Sequence, residues 1–154
     1  MAELFRPNVA AVVEDHSGRI LIAQRADFPD CWQFPQGGIE PGETPEQAVV
    51  RELKEEVGLR RQDFRIIERI GPFRYQFPKG LSKSGFVGQE QFWFRVLLLA
   101  APDVATADVA QPEFAAVRWI DPGDFQLIWL PEMKRPVVRK VLETFYAWQQ
   151  PPAI

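Results

Sequence analysis

One cysteine, Cys31, and one histidine, His16, stand in 154 residues. A lone thiol closes no intramolecular disulfide and builds no cysteine-based zinc cluster within one chain, so neither device organises this fold. Cys31 reads as a small, partly buried residue beside Trp32. His16 sits between Asp15 and Ser17, where turn chemistry accounts for it. With the thiol isolated and the histidine so placed, Ser-His-Asp and Cys-His catalysis are poorly supplied. Long apolar runs are missing too. The longest, Val96 to Ala101, has the length of a strand, and no stretch of about eighteen uncharged apolar residues offers a membrane span. Residues 1–7 lack the basic region and apolar segment of a secretory signal, so a cytoplasmic location is expected. Positive charge is also scarce: 18 Lys and Arg against 21 Asp and Glu leave a formal net charge of −3. That balance argues against broad, nonspecific nucleic-acid binding. Any nucleic-acid partner has to be gripped locally.

What is present suits one compact domain over residues 1–154, with 46% hydrophobic and 25% charged residues. Asn8 to Val13 reads as a strand, Asp15 to Gly18 as a turn and Arg19 to Arg25 as the second strand of a hairpin. Trp32 to Phe34 then leads into a Gly37-Gly38 turn. From Thr44 to Gly58 the pattern is helical, with Val49, Val50, Leu53 and Val57 at spacings of three and four. Thr44 suits the cap, Pro45 the first helical position, Gln47 the capping box and Gly58 the position past the last turn. Phe64 to Ile70 and Gln91 to Leu99 are further strands, separated by a surface loop from Lys79 to Gly88. Ala101 to Pro112 is irregular, and Ala115 to Ile120 is a last strand ending at an Asp121-Pro122-Gly123 turn. A C-terminal helix is expected from about Lys134 to Trp148, with Val137, Val138, Val141, Leu142 and Phe145 on one face. Strands and two helices intermixed in this order predict an α/β fold.

Glu52, Glu55 and Glu56 lie at offsets of three and four, so their carboxylates project from one side of the helix, roughly opposite its apolar stripe. Like charges so placed cost an isolated helix only ~0.2–0.5 kcal/mol per pair. A solvated face balanced by Arg51 and Lys54 is therefore admissible on energy alone. The surrounding string decides otherwise: Gly37, five residues, Glu43, seven residues, then Arg51-Glu52-Leu53-Lys54-Glu55-Glu56-Val57-Gly58-Leu59. Every fixed position of that string resembles the Nudix box, which constrains nine positions over twenty-three residues.

The resemblance implies a Nudix-type α/β/α sandwich with a mixed β-sheet and a catalytic helix. It also implies a hydrolase of phosphoanhydride bonds that works with Mg²⁺ or Mn²⁺. Clustered carboxylates without His or Cys neighbours suit such hard cations, which also bind phosphate oxygens. By the same resemblance Glu56, Glu52 and Arg51 are the catalytic residues. The Gly37 carbonyl joins Glu52, Glu55 and Glu56 as metal ligands, Arg51 orients the carboxylates and Glu43 supports the loop.

Within the family, Trp32-Gln33-Phe34-Pro35-Gln36-Gly37-Gly38-Ile39 is similar to bacterial RNA pyrophosphohydrolases and to asymmetrically cleaving dinucleoside polyphosphate hydrolases. The similarity begins at Arg6-Pro7-Asn8-Val9 and continues through Tyr75, Phe77-Pro78-Lys79 and Gly88-Gln89. It extends to Pro112-Glu113-Phe114, Trp119 and Lys134-Arg135. Carried over position by position, it makes Glu113 a further metal ligand and Arg25, Tyr75, Lys79, Gln89 and Lys134 base or phosphate contacts. One departure matters. Where RNA pyrophosphohydrolases tend to carry a long basic loop, Gly80 to Phe86 holds one lysine. Three readings stand: hydrolysis of 5′-triphosphorylated RNA ends, hydrolysis of a dinucleoside polyphosphate, and a nucleotide sensor without turnover. The complete set of box carboxylates speaks against the third.

Overall fold

The computed structural model describes residues 4–99 and 114–151. Its centre is a mixed seven-stranded sheet between two helices, the α/β/α layering that the sequence implies. Strand β1 (Phe5–Glu14) is the axis. Val9, Ala11 and Val13 point into the core under α1 (Pro45–Val57), and Ala10 and Val12 into the core under α2 (Arg135–Tyr146). A continuous apolar run is what a strand covered on both faces requires. β1 runs parallel to β6 (Gly88–Leu98) from Phe5↔Gly88 to Glu14↔Leu97, and β6 pairs antiparallel with β5 (Phe64–Gln76).

The expected hairpin of the first two strands is nearly absent. β1 meets β2 (Ile20–Arg25) only at Glu14↔Ile20. Beyond that point β2 pairs with β3 (Trp32–Gln33) and β7 (Phe114–Ile120), and β1 takes β4 (Gln36–Gly38) as partner. Gly37 and Gly38 thus form a short strand rather than a turn. β5 runs past the expected end at Ile70, because a register shift between Ile70 and Phe73 carries the ladder across Gly71-Pro72. The Asp121-Pro122-Gly123 turn is a short 3-10 helix, Pro122–Asp124. The expected irregular stretch from Ala101 to Pro112 lies outside the described residues.

α1 begins and ends as its sequence dictates. Thr44 and Gln47 exchange the two bonds of a capping box, Pro45 occupies the first turn, and Gly58 closes the helix at φ 74°. α2 is shorter than its apolar periodicity suggests, since Ala147 turns left-handed at φ 51°. Its C-terminal end is tied to the sheet by Tyr146, whose hydroxyl donates to the buried Glu14 carboxylate at 2.5 Å. Arg95 donates to the same group. Among the described residues no helix is long and apolar enough to cross a membrane.

Candidate active site

Two glycines on β4 set the local geometry. Gly37 and Gly38 stand opposite Val9 and Asn8 of β1, so they face opposite sides of the sheet. A Cβ on Gly37 would lie 2.0–2.3 Å from the carboxylate atoms of Glu52, and one on Gly38 would lie 2.3 Å from Nη2 of Arg6. The strand passes between a carboxylate and a guanidinium, and a side chain on either face would have to displace one of them.

α1 brings its carboxylates to that strand. Glu52 and Glu56 are buried, at 9% and 8% exposure, and only Glu55 stands in solvent. The sequence expectation of carboxylates opposite the apolar stripe is corrected here: Glu52 and Glu56 flank the stripe and are covered by β4. Glu56 accepts from the backbone N–H of Gln36 at 3.3 Å. Arg51 is the organising cation. Its Nε and Nη2 donate to the two oxygens of Glu43, each at 2.8 Å, and Nη2 also donates to the Gly38 carbonyl. Its Nη1 donates to Glu52 at 2.7 Å and to Glu55 at 3.3 Å. The Arg51 bonds hold the Glu43 carboxyl down at about 2. Burial pushes the Glu52 carboxyl up, against the pull of Arg51 and of a hydrogen bond shared with Glu56.

Two buried carboxyl groups close enough to share a hydrogen bond need a proton or a cation between them. The donor set of carboxylate oxygens and backbone carbonyls, without nitrogen or sulfur, fits a hard divalent cation. Among the described residues no three such side chains already converge on one point. Glu113, expected to complete the set, lies outside the described residues; Phe114 after it pairs with Arg25.

The carboxylates open into a cleft of about 1400 Å³ that wraps around this end of the sheet. Arg25, Tyr75, Gln89 and Lys134 all line it; Lys79 is exposed and is not among the lining residues. Arg25 is engaged by Asp27, with bonds of 2.9 and 2.6 Å. Tyr75 is buried, which pushes its phenol up, and the Lys134 ammonium stands 6.0 Å from its ring centre. Several lining residues were not singled out from sequence, three polar ones among them. Arg6 reaches the cleft past Gly38, Lys83 sits 5.3 Å from the Phe77 ring, and Gln33 forms part of the wall. The alternation of β1 was the available signal for Arg6, whereas Gln33 stands on a two-residue strand too short to show one. Behind the wall, Gln91 donates to Asn8 and Gln36 and accepts from Trp93, a closed set of buried amide bonds.

The NUDIX domain profile matches residues 4–145. Similar proteins include the RNA pyrophosphohydrolase of Halorhodospira halophila, 40% identical over 95% of this chain and 82% of its own length. That of Yersinia enterocolitica is 41% identical over 92% and 83%. Among solved structures, the dihydroneopterin triphosphate pyrophosphohydrolase of E. coli superposes with a TM-score of 0.70 at 23% identity, covering 94% of this chain and 99% of its own. A C. elegans Ap4A hydrolase does so with 0.66 at 21%, covering 93% and 99%. At such identities these two likenesses concern the fold.

Proposed function

The chain belongs to the Nudix hydrolase family, and from that premise we propose that it removes pyrophosphate from the 5′ ends of triphosphorylated RNA with the help of Mg²⁺ or Mn²⁺. The observation that carries the chemistry is the carboxylate array of Glu52, Glu55 and Glu56 beside the Gly37 strand, at the head of a large cleft that several charged side chains line. Glu52, Glu55, Glu56 and the Gly37 carbonyl would hold the metal, with Glu113 as a further ligand. When bound, the metal neutralises charge on the pyrophosphate and lowers the barrier to attack by water. Arg51 keeps Glu52 and Glu55 aimed while its other side is fixed by Glu43. Arg6, Lys134 and Arg25 supply positive charge along the cleft, and the Tyr75 ring offers a face for a base. The RNA reading is supported by relatives at about 40% identity named RNA pyrophosphohydrolase. A cytoplasmic location goes with that substrate reading.

One observation favours a second reading, a dinucleoside polyphosphate hydrolase: Gly80 to Phe86 contains a single lysine and adds little positive surface for a long RNA. A side-by-side assay of triphosphorylated RNA, diadenosine tetraphosphate and ADP-ribose, each with Mg²⁺ and with Mn²⁺, separates the two. Turnover of RNA ends well above the others is expected; preference for the dinucleoside transfers the assignment.

A further inference from the structure

We infer that Gln33 is a positioning residue for the attacking water, acting from the α1 side of the cleft; this rests on the hydrolase reading above. Gln33 stands opposite Ala23 across the β2–β3 ladder, and cross-strand partners share a face. Ala23 belongs to the core under α1, whereas Phe34, the next residue along, belongs to the core under α2. The Gln33 side chain therefore faces the layer that holds Glu52 and Glu56, and it lines the same cleft as they do.

Gln33 is only 6% exposed, and its Oε1 finds no hydrogen-bond donor among the described residues. A buried carbonyl oxygen left so is costly, and folded chains retain few of them. The contrast with Gln91 is direct, since that buried amide is satisfied at both its nitrogen and its oxygen. The terminal torsion of a glutamine is soft, so the carboxamide turns toward the cleft at small cost. A nucleobase is better served on the opposite face, where Tyr75 and Phe77 belong to the α2-side core. What the α1 side needs is a neutral acceptor that orients water without competing for the cation.

In the step so served, the water oxygen forms a bond to phosphorus and the anhydride P–O bond breaks. The electron pair leaves with the departing phosphate oxygen, and the proton of the water passes to a carboxylate of α1. Gln33 exchanges no proton. It accepts one hydrogen bond from the water and so fixes the direction of the lone pair that attacks.

The test compares Gln33→Met, which keeps length and volume but removes the acceptor, with Gln33→Asn, which keeps a neutral carboxamide acceptor on a shorter stem. Wild-type turnover of a triphosphorylated dinucleotide is measured first; its absence would sink the hydrolase reading itself. For the Met variant, kcat is expected to fall ~10–10²-fold, the range for a misplaced reactant, with KM nearly unchanged. Its Mn²⁺ affinity, read from the electron paramagnetic resonance signal of free Mn²⁺, is expected to match wild type. Its Tm should equal or exceed wild type, because an unmatched buried oxygen is removed. The Asn variant should keep a higher kcat than the Met variant. Wild-type kcat in Gln33→Met, an equal loss in both variants, a parallel loss of Mn²⁺ affinity, or a drop in Tm beyond ~4 °C each overturns the inference.

Discussion

Glu56 combines burial, a backbone hydrogen bond from Gln36 and a place on the cleft wall. Glu56→Gln keeps its shape and one acceptor oxygen but removes the charge, so kcat is expected to fall by at least ~10²-fold. Folding should survive, because repulsion between neighbouring carboxylates is relieved. A variant with half of wild-type kcat and unchanged Tm removes Glu56 from the machinery. Glu43 makes a different prediction, in pH. Its carboxyl is held at about 2 in the folded protein, against an ordinary value of 4.5, chiefly by its bonds to Arg51. A depressed folded value means that the pair's contribution is fully present above about pH 4.5 and is lost as pH falls toward 2. Urea midpoints between pH 6 and 2 should thus decline less steeply over that window for Glu43→Gln; an identical slope contradicts the pairing. The carboxylate spacing was legible in sequence because a helix fixes it locally. The partnership of Arg25 with Asp27 and the aim of Gln33 were not, since they depend on how a loop and a two-residue strand are seated by distant neighbours.

α1 was readable to the residue because its signals are short-range: a capping box, a proline in the first turn and a glycine past the last. The sheet was not. That β1 abandons β2 after one pair and takes β4 and β6 instead is decided by contacts far apart in sequence. Likewise, Gly71-Pro72 reads locally as a strand end, and only pairing with β6 carries β5 beyond it. The segment before β7 carries the prediction at this scale. β7 begins at Phe114, opposite Arg25 on the cleft wall. Glu113, outside the described residues, is proposed to join the metal as a ligand that α1 does not supply. Glu113→Ala should lower kcat and shift the Mg²⁺ and Mn²⁺ titrations to higher concentration. If both the titrations and kcat match wild type, Glu113 has no part in the metal site.

At the scale of the whole molecule, a net charge of −3 means that the anionic substrate proposed above has to be held by a few local cations. The family and the layering of helices about a sheet were legible from the box and the order of elements. The cleft was not, because it forms where the ends of β1, β4, β5 and β6 meet the start of α2. Its extent sets the last prediction. If RNA ends are the substrate, nucleotides beyond the first need a surface, and Arg25, Gln89 and Lys134 supply one. Arg25 is already paired with Asp27, so a phosphate that binds there exchanges one anion for another instead of adding a free contact. An exposed pair of this kind is worth only ~0–1 kcal/mol, so the exchange is cheap but the net electrostatic gain is small. The footprint is therefore short and weakly charged. kcat/KM should rise from pppA to a triphosphorylated dinucleotide and trinucleotide and then level off. Raising the salt concentration should lower it with a shallow logarithmic slope, reflecting one or two phosphate contacts. A dinucleoside polyphosphate hydrolase has no use for nucleotides added on the 3′ side and needs instead a second base at the far end of the phosphate chain. Measured in one buffer, equal kcat/KM for all three RNA-type substrates, with a clearly higher value for diadenosine tetraphosphate, would show that the cleft reads a second base rather than an RNA chain.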